Sequence, residues 1–567
     1  MSPGLRRALS GMAGAAAMIA VITIISRLVG FARWFAQSNA LGATPTGTAY
    51  ATANTLPNIF FEVVAGGALA GAVVPLLAGP LAKHLRVDVN AISSALLTWA
   101  LAVLVPTGVL LAVLARPLAG LLVDGVVGED PAVTQATVDL ASQLIVIFAP
   151  QVVLYGIGVV LSGILQAQRR FFWPAAAPLA SSLVVIASYL AFRSIGGADR
   201  TDPAALSAQA VAWLGWGTTA GVAAMSLPLL IPVLRSGVRL RPTFRFPPGV
   251  ALRARHLALA GIGGLLAQQA AALVTLKLAN FSGGPGTFNI YQYSQAVYFL
   301  PYAVLAVPLA TAAFPRLAEH AASGDLSRYS RLVAVSTRAV LLVSAAGAAA
   351  LIAASPAITQ MFVSNDANPN AAEALAPMSL TLAVLAPGLL GFGLIFQHSR
   401  VLFALERGRA AVTAVAIGWL AVVVASVVAV LALAPDRGDA SGTLLGLAIG
   451  NTVGMTVAGI VLVIAVRRCA GAPSLAGTPR TLAVAVAGAT VGAAVGRWVV
   501  DAVLGLLEDR FVTALFAGLG AAAVSVFLVL TATWFADRST ITGALTADRA
   551  VTTPGAPRFD STEKPRD

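Results

Sequence analysis

Two arginines interrupt the first long apolar run of the chain, in the stretch ISRLVGFARW at Ile25–Trp34. Arg27 and Arg33 are six residues apart, which is about 9 Å along an α-helix and about 120° around it. They cannot share one narrow helix face, but they can flank one wide cavity, and Gly30 between them can permit a bend. A guanidinium fork fits a phosphate well, so the pair predicts an anion site. The alternative is that one or both side chains extend to a headgroup layer or pair internally.

Few other ionisable side chains fall inside apolar segments, where a charge costs about 2.5–3.5 kcal/mol or more. Lys277 ends the sequence LVTLK of the seventh segment, and we expect it either to line a path for a ligand or to extend to the outer surface. Glu62 is expected to pair with Arg33 as an internal counter-ion or to bind a proton. His398 and Arg400, in the sequence QHSR, are interpreted as a helix-end feature, with a place along the path as the alternative.

The composition defines the class of protein. Of the 567 residues, 58% are hydrophobic and 10% are charged, which is typical of a polytopic membrane protein. The net charge of +13 comes from arginine and lysine in short loops, so it indicates membrane topology and not a nucleic-acid partner. The apolar run at the N-terminus continues to Ile25 without a convincing cleavage site, which disfavours a removed signal peptide. The single cysteine, Cys469, excludes an internal disulfide framework.

About fourteen segments are long and apolar enough to span a bilayer. Every second loop between them is rich in arginine or lysine, and by the positive-inside rule these loops and both termini are cytoplasmic. The basic loops carry Arg6/Arg7, Lys83/Arg86, Arg169/Arg170, Arg235–Arg255, Arg316–Arg331, Arg407/Arg409 and Arg467/Arg468. The sequence therefore predicts an all-α, multi-pass membrane protein.

A weak internal repeat predicts how the spans are grouped. LPN at Leu56, followed by VVPLLAGPLAKH, corresponds to LPY at Leu300, followed by AAFPRLAEH, so spans one to six and seven to twelve form two related lobes. Pro57 and Pro301 in these spans are predicted helix hinges, as is Gly30. The predicted units are an N-terminal lobe (1–236), a C-terminal lobe (237–471), two additional helices (472–537) and a disordered cytoplasmic tail (538–567).

Signals of catalysis are absent from the sequence. The four histidines are far apart and have no metal-ligand spacing, and there is no phosphate-binding loop for a nucleotide. We therefore predict no enzyme activity, no metal and no cofactor.

Several motifs together resemble the MviN/MurJ family, which contains the bacterial lipid II flippases of the multidrug/oligosaccharidyl-lipid/polysaccharide exporter superfamily. The stretches that carry the resemblance are SRLVGFAR (Ser26–Arg33), LGA (Leu41–Ala43), LPN (Leu56–Asn58), VVPLLA (Val73–Ala78), RRFFWPAAAPL (Arg169–Leu179) and YQYSQAVYFLPYAVLAVPLATAAFPRLAEH (Tyr291–His320). The resemblance covers spans one to twelve, and spans thirteen and fourteen by number alone.

The resemblance implies a cationic cavity between the two lobes that receives the diphosphate and the sugar-pentapeptide head of lipid II. It also implies that the two additional helices form a groove for the polyprenyl tail. Arg27 and Arg33 match the first-span arginines of the family, and Lys277 and Glu62 complete the predicted substrate-binding set. The chain departs from the family where an arginine is replaced by Phe61, an acidic residue by Thr48 and another arginine around Gln295–Ala296. Lys277 is a candidate to compensate for one lost charge.

The resulting hypothesis is a flippase of the bacterial cytoplasmic (inner) membrane that moves lipid II from the inner to the outer leaflet by alternating access. It would act in peptidoglycan synthesis, cell wall biogenesis and the maintenance of cell shape. Its partners would be the lipid-linked glycan, membrane lipids and cell-wall synthesis proteins, with no nucleic acid. Two alternatives are a flippase for another polyprenyl-linked oligosaccharide and a non-transporting membrane scaffold for cell-wall synthesis. A cation antiporter is disfavoured, because unpaired arginines repel cationic drugs.

Overall fold

The computed structural model describes residues 3–63, 70–123, 131–252, 254, 262–506, 511–538 and 540, which are almost entirely helical and contain no strand. The predicted all-α membrane fold is confirmed. Among these residues nine helices are long and apolar enough to cross a bilayer, or up to eleven when each of two bent pairs counts as one span. The number fourteen and the cytoplasmic termini stay predictions, and most of the predicted tail lies outside the described residues.

The N-terminal half forms nine helices in the described ranges. They are α1 (Pro3–Ala40), α2 (Pro45–Phe61), α3 (Ala70–Ala82), α4 (Arg86–Val113), α5 (Ala115–Val123), α6 (Pro131–Ala167), α7 (Phe172–Gly196), α8 (Ala208–Ser226) and α9 (Leu230–Arg235). Helix α2 begins where Thr44 caps it, since the Thr44 hydroxyl accepts a hydrogen bond from the N–H of Gly47 and Pro45 occupies the first turn.

The C-terminal half forms eleven helices in the described ranges. They are α10 (Ile262–Gly283), α11 (Thr287–Pro301), α12 (Val307–Ala322), α13 (Leu326–Val363), α14 (Ala371–Leu375), α15 (Met378–Leu385), α16 (Gly388–Ala404), α17 (Gly408–Leu433), α18 (Ala440–Ala470), α19 (Thr478–Leu506) and α20 (Phe511–Ala536). The carboxylates of Asp325 and Asp439 cap α13 and α18 by accepting backbone N–H bonds.

The helices pack mainly within each half. Helices α4 and α8 each pack against α6 in the first half, and α10, α16 and α17 pack against α18 in the second. Helices α19 and α20 pack on each other and on α13. Close approach of α17 and α18 depends on Gly450 and Gly454, because a Cβ at either position would collide with the α17 backbone at Ser426 or Val422.

Loops that alternate along the sequence gather at two opposite ends of the molecule. We call one of them the closed end, and there the loop at 41–44 contacts the loop at 364–370. At the same end the N–H of Gly438 donates to the carbonyl of Ser282 at 2.7 Å. The other end, here the loop end, carries the turns between α3 and α4, α12 and α13, and α16 and α17. The charge pattern predicts that the closed end faces outward.

Candidate functional site

At the closed end the two lobes meet around a carboxylate. Asp366, in the loop after α13, accepts hydrogen bonds from the hydroxyl of Ser38 at 2.5 Å and from the backbone N–H of Ala43 at 3.0 Å. The N–H of Asn368 also donates to it, at 2.9 Å. Burial raises the pKa of the Asp366 carboxyl above its ordinary value, although these hydrogen bonds and the charge of Arg200 act in the opposite direction. This carboxylate ties the end of α1 to the C-terminal lobe.

Asparagines on both sides of Asp366 extend this contact. The Asn365 side-chain amide donates to the carbonyl of Phe35 at 2.7 Å, and the Asn39 amide donates to the carbonyl of Asn365 at 3.0 Å. The Asn368 amide donates to the carbonyl of Ala43 at 2.7 Å. Each bond joins the first helix or loop to the segment after α13, so the two lobes are held by backbone groups as well as side chains.

Helices α2 and α10 form a second part of the same contact. The N–H of Gly286 donates to the hydroxyl of Thr48 at 2.7 Å, and the buried amide of Asn280 donates to Thr52 at 3.0 Å and to the carbonyl of Leu122 at 3.0 Å. Thr48 is the position at which the resemblance implied an acidic residue. Here its hydroxyl accepts a bond between the lobes.

An aromatic stack lies next to these polar contacts. The Phe362 ring stacks on Phe35 at 4.6 Å and on Tyr293 at 5.1 Å, and Trp34 meets Tyr293 edge-on at 6.2 Å. The three helices α1, α11 and α13 supply these rings. We refer to the polar contacts and this aromatic stack together as the seal.

The two predicted arginines lie on α1 between the seal and the opposite end. Arg33 is half-buried, its guanidinium is 5.8 Å from the Trp34 ring, and it is close enough to the buried Tyr50 and Tyr189 for electrostatic interaction. Arg27 is exposed and about 9 Å farther from the seal along the helix. The structure thus places the two cations at two successive levels of one helix.

Glu62 and Phe61 lie at the end of α2, opposite Tyr155 of α6. Phe61 packs on the Tyr155 ring at 4.5 Å, and the Tyr155 hydroxyl donates to Asn58 at 2.9 Å. A cavity of about 250 Å³ opens beside this pair. Glu62 is exposed, and in the described part of the chain it forms no ion pair with Arg33 within 4 Å, although both interact electrostatically with Tyr155. The arginine expected near Phe61 is replaced here by an aromatic surface.

Arg400 and His398, which follow each other closely on α16, have different surroundings. The buried His398 ring bonds the Thr337 hydroxyl at 3.1 Å, so it belongs to the core of the C-terminal lobe. The Arg400 guanidinium lies 3.5 Å from the Phe396 ring and interacts electrostatically with Tyr302, as Arg27 does from the other lobe. Arg400 therefore faces the same region as Arg27. A place for Arg400 along the path was the alternative prediction from the sequence.

Lys277 lies elsewhere. It is half-buried on α10, its ammonium is 5.1 Å from the Phe281 ring, and Arg437 packs on the same ring at 4.0 Å. Since Arg437 belongs to the loop at 434–439, Lys277 lies toward the closed end. Its predicted role in binding stays a prediction.

The three predicted hinges differ in geometry. Gly30 lies within the continuous α1, and Pro57 lies within α2, which continues to Phe61. Pro301 ends α11 and is followed by a π-helical turn, Tyr302–Ala306, with a bend of 43° between the flanking helices. Of these three positions in the described chain, only Pro301 lies at a bend in this conformation.

Sequence reasoning missed the seal. The residues of its polar contacts are short and either uncharged or acidic, and the run SNDANPN at 364–370 reads as an ordinary polar loop. The available signal was the density of asparagine and aspartate beside a loop that begins with LGA, since such side chains often bond nearby backbone groups.

Two helical lobes joined at one end, with arginines on the helix that enters the joint, define a two-lobed, multi-pass membrane protein. Solved structures agree with this fold. "Lipid II flippase MurJ, inward closed conformation" matches with a TM-score of 0.71 and 17% identity, over 92% of this chain and 99% of that one. A multidrug resistance MATE family transporter of the MOP superfamily, in an inward-facing conformation, matches with a TM-score of 0.63 and 14% identity, over 80% and 98%.

The chain belongs to the lipid II flippase MurJ family, whose family model matches residues 37–517. It is 29% identical over 393 residues to a probable lipid II flippase MurJ of Rhizobium meliloti, covering 68% of this chain and 69% of the relative. It is 27% identical over 347 residues to a lipid II flippase MurJ of Burkholderia cenocepacia, covering 58% and 61%. The predicted family and the location in the bacterial inner membrane are confirmed.

Proposed function

We propose that the chain moves lipid II from the inner to the outer leaflet by alternating access and performs no covalent chemistry. The observation that carries this proposal is the position of Arg27 and Arg33 at two levels of α1, directly inside the seal. A diphosphate has several oxygen acceptors, and guanidinium forks at two depths can hold both phosphates or pass them along the helix.

Arg400 extends this cationic region to the second lobe. Arg27 and Arg400 come from different lobes, and both lie close enough to Tyr302 for electrostatic interaction. A diphosphate between them would contact both lobes at once, so its binding would depend on their separation. This is the differential affinity for two states that a carrier needs in order to respond to its substrate.

The strength of the seal suits a reversible gate. A typical hydrogen bond contributes about 0.5–1.5 kcal/mol net, so the handful of bonds between the lobes sum to only several kcal/mol. A ligand that prefers one state by about 5.5 kcal/mol can move a population from one state almost entirely to the other. Opening of the closed end therefore lies within the range of binding energies of one charged lipid.

A different polyprenyl-linked oligosaccharide is the second candidate cargo. The Phe61–Tyr155 pair favours it, since an aromatic surface stands where the family often has an arginine. Aromatic faces suit apolar or sugar surfaces better than phosphate. Competition between lipid II and lipids with other glycans for the purified protein separates the two cargoes.

The test is outer-leaflet exposure of lipid II in cells depleted of this protein, in a strain without a redundant flippase. Wild type is compared with Arg27→Ala at matched abundance. We expect wild type to restore exposure and Arg27→Ala to reduce it about tenfold or more, since hydrogen bonds to charged groups contribute about 1.5–3 kcal/mol.

Arg116→Ala is the matched control. Arg116 pairs with Asp139 at 3.1 Å, and its side chain is 71% exposed, so its loss removes an arginine without touching the proposed site. Full rescue by Arg27→Ala would support the scaffold alternative. Unchanged exposure on depletion would refute the peptidoglycan assignment.

A further inference from the structure

The segment that joins the two lobes is held in an extended conformation along α4. We call residues 238–246 the linker arm. Three of its backbone N–H groups donate to α4 side chains: Arg239 to Asn90 at 2.9 Å, Arg241 to Ser94 at 3.0 Å and Thr243 to Thr98 at 3.0 Å. The arm is therefore fixed to the N-terminal lobe and not a free tether.

The spacing explains why the arm fits α4. Residues four apart on a helix are about 6 Å apart along its axis, and residues two apart on an extended chain are about 6.6 Å apart. Each step along the arm thus meets the next turn of α4. Pro242 lies between bonded positions, where an N–H would point away from the helix, so its missing donor costs nothing there.

The two faces of the arm differ in character because side chains alternate along an extended chain. Arg239, Arg241 and Arg245 are exposed, whereas Leu240 and Phe246 pack against the hydrophobic core. The arm therefore presents a row of arginines on one side, and Leu240 and Phe246 hold it in place.

An aromatic pair marks the depth of the arm relative to the bilayer. The Trp99 indole N–H donates to the carbonyl of Phe244 at 3.1 Å, and the two rings meet edge-on at 5.3 Å. Both side chains are about half exposed. Trp99 also begins the apolar run 99–113 that completes α4, about 22 Å long, which covers most of the thickness of the hydrocarbon core. Such a tryptophan lies at the membrane interface, which places the arginines at headgroup level.

The arginines of the arm have no acidic partner in the described chain, since Asp88 of α4, two residues before Asn90, forms no ion pair with them within 4 Å. Residues 203–318 contain no aspartate or glutamate. Over the ranges that the structure covers, Arg239, Arg241 and Arg245 form no ion pair within 4 Å. A fixed row of exposed guanidinium groups at headgroup depth is complementary to lipid phosphates.

We propose that the linker arm is a binding site for anionic phospholipid headgroups, which anchor the connection between the lobes to the membrane surface. The site goes beyond the transport function: its ligand is a lipid of the surrounding leaflet and not the cargo. Because the arm follows α4 rigidly, a bound headgroup fixes the N-terminal lobe at the surface while the C-terminal lobe is left to move.

Native mass spectrometry of the full-length protein tests this proposal, with phosphatidylglycerol and phosphatidylcholine as probes. We expect R239Q/R241Q/R245Q to lose about tenfold or more in affinity for phosphatidylglycerol, with binding of phosphatidylcholine unchanged. R407Q/R409Q/R468Q is the matched control, because it removes the same charge from exposed arginines elsewhere in the basic loops. Equal loss in both triple variants would show diffuse attraction and overturn the proposal.

A second variant tests the geometry without changing charge. S94A/T98A removes two hydroxyl groups that hold the arm, and we expect a several-fold loss of phosphatidylglycerol affinity although all the arginines are present. Unchanged affinity would mean that charge alone suffices, which contradicts a fixed site. Inorganic phosphate should displace phosphatidylglycerol from the wild-type protein much less than added phosphatidylglycerol does. Displacement of equal strength by the two would show a general anion site and refute the lipid assignment.

Discussion

Substitutions of Arg33 can separate the contribution of its positive charge to ligand binding from that of the planar shape of its guanidinium group. We predict that Arg33→Gln abolishes most of the affinity of the purified protein for undecaprenyl diphosphate, and that Arg33→Lys retains part of it. Lysine keeps the charge but loses the planar fork that binds two phosphate oxygens. Titration with undecaprenyl diphosphate measures the effect, and the expected losses are about a hundredfold and about tenfold.

Undecaprenol, which has the same tail without phosphate, is the control ligand for these variants. Its affinity should not change, because Arg33 lies beside Trp34 and the buried tyrosines and is assigned to the head of the lipid. Equal weakening for both ligands would mean that the substitution disturbs the packing of α1 and that Arg33 does not bind phosphate.

At this scale the sequence revealed charges but not hydrogen bonds. Arg27 and Arg33 could be found because a charge inside an apolar run is costly and therefore conspicuous. Thr48 and Asp366 could not, since neither a threonine in the first turn of a helix nor an aspartate in a loop predicts a partner that lies hundreds of positions away. Their role depends on which loops meet, and that is fixed by the packing of the lobes.

At the scale of elements, a substitution of Gly286 tests whether the seal depends on the short distance between the two lobes. Its φ is +78°, and a Cβ there would lie 2.6 Å from the carbonyl carbon of Ala43 in the other lobe. We predict that Gly286→Ala loosens the seal. The buried Ala367 reports this when it is replaced by cysteine in a Cys469→Ser background, through faster labelling by a membrane-impermeant thiol reagent.

Gly324→Ala is the control for this substitution. Gly324 has a φ of +72° but no atom within 4 Å of the added Cβ. Both variants bear a similar backbone cost of about 1–2 kcal/mol, and only Gly286→Ala also pushes the lobes apart. The idea fails if the two variants label position 367 at the same rate.

Helix breaks show what the sequence predicts about elements and what it does not. Hydropathy located the spans because every helix that faces lipid must be apolar. It did not determine where they bend: the chain bends at Pro301, yet continues as helix through Pro57 and Gly30. Proline and glycine permit a bend, and the neighbouring helices determine whether it forms.

At the scale of the whole molecule, the lobes are connected in two places with different properties. The seal holds them at the closed end through short polar contacts, and the linker arm joins them by a chain that is itself bound to α4. Two bodies that share one breakable contact and one covalent link can separate at the first without dissociating. This arrangement suits a carrier whose closed end opens during the cycle.

The charge of Asp366 makes the seal sensitive to pH. Burial between the lobes raises the pKa of this carboxyl, and separation of the lobes would return it to its ordinary value because water reaches it. The closed form then binds the proton more tightly than the open form. Closure is therefore favoured at a pH below the raised pKa, and this contribution is lost as the pH rises through it.

We predict that acidification from about pH 8 to about pH 5 increases the closed population in wild type and has little effect in Asp366→Asn, which is neutral throughout. Distances between spin labels at Ala198→Cys and Asn370→Cys, in a Cys469→Ser background, measure the two populations, since both positions are exposed near the seal on opposite lobes. A wild-type distance distribution that does not move with pH would contradict the prediction, as would an equal shift in Asp366→Asn. Because Arg200 and Tyr293 also interact with this carboxyl, the asparagine variant is needed to assign the response to Asp366.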